Sequence, residues 1–291
     1  MGLKRTTLFF ICCIVIFITT CDEFDENLLL TPWSQHWRAP LKYDDSGATK
    51  FLNVAAVSFD VNLSPDVNRN RMIEFIDKIK VEQPDVRLIL FPETTLGYYY
   101  RPSNPSEYQK SIAETIPGET TNIISQKATE HQIYISFGMA EKSGEYLYNS
   151  QVLIDPNGKI LSVHHKNYFI PWDKENGYTA GSNITLDIID NIKVATIICH
   201  DIEGLDENKK IHNSGAELVL IPLASKNKIS LYIDDPLHVQ YVNSWFLLAN
   251  RVGNEDDIQY NGSLWLSSPG GEKRVLMSGK EGYIYGIVKC R

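Results

Sequence analysis

A chain of 291 residues, 43% of them hydrophobic, can bury a full core as one large domain or two small ones. Its formal charge of -8 comes with no clustered Lys and Arg, which excludes a nucleic-acid partner, because phosphate binding needs grouped cations. Five cysteines without framework spacing exclude a disulfide scaffold, and the histidines lack the spacing of metal ligands, so no metal is expected.

The first residues differ in kind from the rest. Lys4 and Arg5 precede an unbroken apolar run at 8–18, followed by Thr19-Thr20-Cys21. Residues 1–21 therefore read as a signal peptide or a lipoprotein signal, since the run falls short of the roughly 20 residues a membrane span needs. Ile18-Thr19-Thr20-Cys21 is similar to a bacterial lipobox, with an unusual Thr20, and would put a lipid on Cys21 and attach the N-terminus to a membrane. Met1-Gly2 with Thr6 also fits a myristoylation pattern, but the apolar run makes export to the periplasm, cell surface or exterior the better reading. Residues 22–50, with Pro32, Trp33, Trp37 and Pro40, are polar and irregular and read as a tether, leaving 51–291 as the folded domain.

That domain opens with a strand over 52–59 and a helix over 65–80, which Ser64 can cap and Pro65 can start. Ile73, Phe75, Ile76 and Ile79 give the helix an apolar stripe. A strand at 86–91, a Tyr98-Tyr99-Tyr100 loop, a helix at 120–131 and a strand at 133–139 follow. Strands at 151–154 and 160–165 form a hairpin around Asp155-Pro156-Asn157-Gly158, and strands at 185–189 and 193–199 form another turning at Asp190-Asn191. Next come a helix near 205–213, a strand at 218–222 and a helix with aromatic packing at 237–250. The β-rich end runs from 260–267 to 283–289, with Pro269-Gly270-Gly271 between. No internal repeat is visible. Apolar strands alternating with amphipathic helices mean sheets covered by helices, an α/β or α+β layered fold.

Three strand ends carry chemistry. The run 86–91 stops at Pro92, which puts Glu93 just past the sheet; 160–165 leads into Lys166; and 194–198 delivers Cys199. Taken alone, Cys199 reads as a small core hydrophobe and His164-His165 as a solvated strand end. Together, an acid, a base and a thiol from three strand ends resemble the nitrilase or carbon-nitrogen hydrolase superfamily, whose triad is Glu, Lys, Cys in that order. The matching stretches are Leu90-Phe91-Pro92-Glu93-Thr94, the seven residues from His165 to Pro171, and Ile198-Cys199-His200-Asp201. Ile116-Pro117-Gly118, Tyr148-Asn149-Ser150, Gly215-Ala216-Glu217-Leu218 and Ala249-Asn250-Arg251-Val252-Gly253 also look like family segments, in order.

The resemblance implies a four-layer α-β-β-α sandwich, commonly paired as a homodimer, and a catalytic triad of Glu93, Lys166 and Cys199. A thiol is mostly protonated at neutral pH and needs a base, here Glu93, to become the attacking thiolate. Lys166 and the backbone N–H of His200 would hold the oxyanion, and Glu175 is the candidate for the family's second glutamate. The implied activity is that of a thiol amidohydrolase cleaving a non-peptide C–N bond of a small amide or nitrile-derived substrate through a Cys199 acyl-enzyme, with no cofactor. An N-acyltransferase like apolipoprotein N-acyltransferase and a non-catalytic surface binding protein that keeps the fold are the alternatives.

Overall fold

The computed structural model describes residues 40–101, 103–226 and 241–291. Residues 1–21, expected as a signal and including Cys21, and Trp33 and Trp37 of the expected tether lie outside the described residues. The described residues ahead of the first strand lie against the rest of the fold: Leu41 N–H donates to Gly270 O (2.8 Å), and Tyr43 stands edge-on to Trp245 with ring centroids 5.7 Å apart. Among the described residues no helix is long and apolar enough to cross a membrane.

In chain order the first half runs β1 (Lys50–Ser58), α1 (Pro65–Glu82), β2 (Leu88–Leu90), α2 (Pro105–Ile112), α3 (Glu119–His131), β3 (Tyr134–Ser143), β4 (Tyr146–Ile154), β5 (Ile160–His165) and α4 (Pro171–Glu175). The second runs β6 (Thr185–Ile189), β7 (Ile192–Thr196), a 3-10 turn (Cys199–Glu203), α5 (Leu205–Ser214), β8 (Leu218–Leu223), β9 (Trp245–Asn250), β10 (Val252–Glu255), β11 (Ile258–Asn261), β12 (Leu264–Ser267), β13 (Lys273–Met277) and β14 (Gly282–Cys290). Pro65 starts α1 as expected, but Ser64 makes no capping bond through its hydroxyl. At the β6–β7 turn Asp190 and Asn191 both take positive φ, as a two-residue hairpin connection demands.

Two six-stranded sheets form, ordered β14-β1-β2-β3-β4-β5 and β6-β7-β8-β9-β12-β13. Read in those directions both have one antiparallel pairing, two parallel pairings and two antiparallel pairings. The halves thus share a topology that the sequence does not display as a repeat. Strand alternation sorts the side chains into layers. Leu52, Val54 and Ala56 of β1 meet Val194, Leu218, Leu220 and Leu247 between the sheets. Ala55 and Val57 point outward to Met72, Ile76 and Ile79 of α1 and to Ile124 and Ala128 of α3. On the other side, Val219, Ile221, Phe246 and Leu248 pack with Ile211 of α5. The result is the expected α-β-β-α sandwich.

One predicted element is corrected. Residues 237–240 lie outside the described residues, but Trp245–Asn250 is a strand in the middle of the second sheet, where a helix over 237–250 was expected. All six of its residues are buried, with Trp245, Leu247 and Ala249 facing the other sheet and Phe246 and Leu248 facing the helix layer. A run that is apolar on both faces has no polar face to reveal its period, so periodicity cannot separate helix from strand there.

Candidate active site

Glu93 is delivered by the end of β2. Phe91 N–H still bonds to Ser136 O of β3 (2.8 Å), Pro92 follows, and Thr94 turns the chain with φ of +46°. The turn lies hard against β3 at Gly138, where an added β-carbon would fall 2.5 Å from Thr94 N and 2.8 Å from the Glu93 α-carbon; only glycine lets the loop seat. The Glu93 carboxylate has no exposed surface. Its Oε1 accepts from Lys166 Nζ (3.0 Å) and Asn149 Nδ2 (2.7 Å), and its Oε2 from the backbone N–H of Ala224 (2.8 Å).

Lys166 follows β5, its N–H held by Asn149 O (2.9 Å) and its carbonyl by Gly181 N–H (2.8 Å). The ammonium is fully buried, 3.0 Å from Glu93 and 3.0 Å from Asp173, with the Tyr99 hydroxyl at 3.4 Å and the Tyr99 ring centroid at 5.1 Å. Burial alone would push its pKa down; the charges around it, Glu93 foremost, outweigh that and hold it well above the ordinary lysine value.

Cys199 lies just beyond β7, which ends at Thr196, and opens the 3-10 turn with φ of +49°. A side-chain-bearing residue adopts that left-handed conformation at a cost of about 1–3 kcal/mol, and such strain concentrates at functional positions. The residue keeps some exposed surface. Burial and the Glu93 charge push its thiol well above the ordinary cysteine value, while Lys166 and the Ala224 N–H pull the other way without reversing the sum. The surroundings therefore favour the neutral thiol over the thiolate.

The structure brings Glu93, Lys166 and Cys199 into one electrostatic unit. It corrects Glu175. That residue is exposed at the end of α4, and the second acid beside Lys166 is Asp173, fully buried. Asp173 sits at the third position of α4, where its Oδ2 accepts the Ile170 N–H (2.9 Å) and its Oδ1 accepts the Tyr99 hydroxyl (2.8 Å). The first turn of α4 points Asp173 inward and leaves Lys174 and Glu175 outward. The His200 side chain turns toward Glu203 (3.2 Å). His164-His165 is also corrected from a solvated strand end. His164 is buried against Asp201 (2.9 Å), and His165 pairs with Glu141 (2.8 Å) while stacking on Tyr148 at 4.0 Å.

A family model described as carbon-nitrogen hydrolase matches residues 53–272. The chain belongs to the carbon-nitrogen hydrolase family. A nitrilase of Pyrococcus abyssi is 26% identical over 225 residues, covering 75% of this chain and 82% of the relative. An (R)-stereoselective amidase of Pseudomonas sp is 26% identical over 180 residues, covering 60% and 62%. An amidase from Nesterenkonia sp. shares the fold with a TM-score of 0.72 at 16% identity, over 87% of this chain and 92% of that one. Variants of that amidase carry the acetamide moiety of fluoroacetamide covalently on the active-site cysteine, or hold butyramide.

In this carbon-nitrogen hydrolase, several residues around the site had no assigned role in the sequence: Asn149, Asp173, Tyr99 and the Ala224 N–H. Tyr148-Asn149-Ser150 stood out only as a family-like segment, and so did Ala249-Asn250-Arg251-Val252-Gly253. The structure gives the second a task. Arg251 is buried behind the site, paired with Glu255, and donates to Thr94 Oγ1 (3.1 Å) and Gly97 O (3.0 Å). Glu255 accepts the N–H groups of Tyr99 (3.1 Å) and Tyr100 (2.9 Å) and the Tyr260 hydroxyl (2.7 Å). The pair thus fixes the loop that carries Glu93 and Tyr99. Asn250 braces the opposite wall, exchanging bonds with Ser225 N–H (2.9 Å) and Ser225 O (3.1 Å) next to Ala224.

One set of potential metal ligands exists among the described residues, Asp77, Glu130 and His131 on the α1–α3 surface. Lys127 bridges the two acids, 2.9 Å from Asp77 and 3.0 Å from Glu130, and offsets one of their two charges without an ion.

Breaking the Arg251–Glu255 pair leaves a buried carboxylate uncompensated, which typically costs about 3–5 kcal/mol. Arg251→Met should lower unfolding stability by that amount in urea titrations at pH 7, and adding Glu255→Gln should recover part of it. An unchanged unfolding midpoint for the single variant would show that the pair does not hold the loop.

Proposed function

We propose that this chain is a thiol amidohydrolase that cleaves the C–N bond of a small amide through an acyl-enzyme on Cys199. The observation that carries the reading is the Ala224 N–H. It donates to Glu93 Oε2 while Lys166 and Asn149 occupy the other carboxylate oxygen, and its dipole also favours the Cys199 thiolate, so one backbone amide acts on both base and nucleophile.

The steps follow from that arrangement. Glu93 Oε2 takes the thiol proton as sulfur bonds to the carbonyl carbon, and the carbonyl oxygen becomes an oxyanion. The ammonium of Lys166 and the backbone N–H of His200 stabilise that oxygen. The intermediate collapses, the C–N bond breaks, and Glu93 returns its proton to the departing nitrogen, releasing ammonia or an amine. Water, deprotonated by Glu93, then attacks the thioester; the acid leaves and the thiol regains its proton. Side chains and water supply every proton and electron pair. Asp173 and Tyr99 keep Lys166 charged and aimed. The covalent acetamide adduct on the Nesterenkonia amidase cysteine and its butyramide complex support the class of substrate.

Export through residues 1–21, with membrane attachment if Cys21 is lipidated, and pairing into a homodimer complete the proposal. The N-terminal mass and membrane partitioning of the protein from its native host test the first, and a sedimentation-derived molar mass tests the second.

With butyramide as substrate, Glu93→Gln and Lys166→Met should each lower kcat by at least about 10². Because the residues act as a unit, the double variant should be little worse than the worse single, and multiplicative losses would place one of them outside the site. Iodoacetamide at pH 7 should label Cys199, which keeps some exposed surface and has Glu93 to take its proton, well before Cys290, which is buried in the core between the sheets. Equal labelling would sink the nucleophile assignment. Added hydroxylamine should divert the acyl group to hydroxamate in proportion to its concentration, with free acid dominating when it is dilute. Negligible acid at every concentration would favour an acyltransferase.

A further inference from the structure

Asp201 is the third residue of the turn that Cys199 opens, and it has no exposed surface. Its carboxylate collects four donors. Oδ1 accepts the backbone N–H groups of Asn167 (2.8 Å) and Tyr168 (2.7 Å); Oδ2 accepts the backbone N–H of Ile198 (2.9 Å) and His164 Nε2 (2.9 Å). The first two donors are the residues directly after Lys166. The third is the residue directly before Cys199. The fourth lies two residues before Lys166, on β5. A single carboxylate therefore ties together the two backbone segments that carry the oxyanion cation and the nucleophile.

We propose that Asp201, oriented by His164 and Thr185, is the positioning residue that sets Cys199 against Lys166. This rests on the reading of those two as the reacting pair. An ionised aspartate is the only side chain of its size with acceptors alone, about four lone-pair sites on two oxygens, and here four donors meet them. Asparagine has the same shape but turns one end into a donor. If its oxygen stays with Asn167 and Tyr168, its NH₂ faces Ile198 N–H, which loses its acceptor; His164 could adapt by exchanging tautomers, the backbone amide could not. The histidine is itself held from behind, with Nδ1 3.1 Å from Thr185 Oγ1. A proton on Nε2 serves Asp201, and the Thr185 hydroxyl can then donate to Nδ1, so the neutral ring is fully satisfied. The turn needs such an anchor because Cys199 is held in the left-handed region, a conformation that persists only where the surroundings impose it.

Asp201→Asn should slow alkylation of Cys199 by iodoacetamide at pH 7 by at least about tenfold, since displacements near 1 Å at a reacting pair can cost about 10² in rate. Cys290, in the core between the sheets, reports opening of the fold in the same peptide digest and should stay protected. His164→Gln keeps a donor for Asp201 and should react within about threefold of the parent, whereas His164→Leu removes it and should slow Cys199 with Cys290 still protected; these thresholds follow from the same sensitivity to placement. With butyramide, Asp201→Asn should lower kcat while KM holds. Parental alkylation in Asp201→Asn, or His164→Gln falling as far as His164→Leu, overturns the proposal. If Asp201→Asn exposes Cys290, the two His164 variants decide it alone. Alkylation reads the placement of Cys199 whether or not butyramide is hydrolysed, so failure of the amidase reading leaves this test standing.

Discussion

The site depends on one costly arrangement, a lysine ammonium between two carboxylates with none of the three exposed to water. Removing such ions from solvent costs several kcal/mol each, recovered only where every remaining lone pair and proton finds a partner. The surroundings of Glu93, Lys166 and Asp173 serve that requirement. Asn149, the Ala224 N–H, the Tyr99 hydroxyl and the Ile170 N–H all donate into the cluster. These neutral dipoles are fixed before substrate arrives, which is the condition for stabilising charge without reorganisation during reaction. Burial also explains why the thiol is held above its ordinary pKa: the same environment that keeps Lys166 charged among its carboxylates makes a free thiolate expensive.

The doubled sheet topology says why the residues meet. β1, β2, β3 and β5 run the same way, and Glu93 and Lys166 leave the carboxyl ends of β2 and β5. In the other sheet Cys199 and Ala224 leave the carboxyl ends of β7 and β8, the same end that open parallel sheets use for ligands. β2 and β8 hold equivalent places in the two sheets, and the bond from Ala224 N–H to Glu93 joins one to the other. The geometry of the candidate site thus belongs to the pair of sheets jointly.

Much of this was legible in the sequence where a residue type or a period carried it. Apolar runs located most strands, and Pro92 marked where the ladder ends before Glu93. The wrong helix at β9 came from a run buried on both faces. The partners of the triad were harder to see for a different reason. Asp201 and Glu255 act by accepting backbone N–H groups distant in sequence, and such acceptors leave no pattern in their own neighbourhood. His164 looked like one of two exposed histidines, although strand alternation sends the pair to opposite faces. Alternation was the signal that could have separated them.

Asp173 in place of Glu175 shows how a short element can override spacing along the chain. A glutamate reaches its target through one more rotatable bond than an aspartate, so it must be held by its partners at the far end. Asp173, one bond shorter, is held by its own helix's backbone as well as by side chains. Pro171 starts α4, the third helical position then lies over the preceding turn, and the Ile170 N–H fixes one carboxylate oxygen there. With that oxygen engaged by backbone, the other faces Tyr99, and Lys166 lies within 3.2 Å of both. The length of the connection from Lys166 to Pro171 therefore sets where the second negative charge sits. A residue two places further along the helix, as Glu175 is, faces solvent however well its chemistry suits the role.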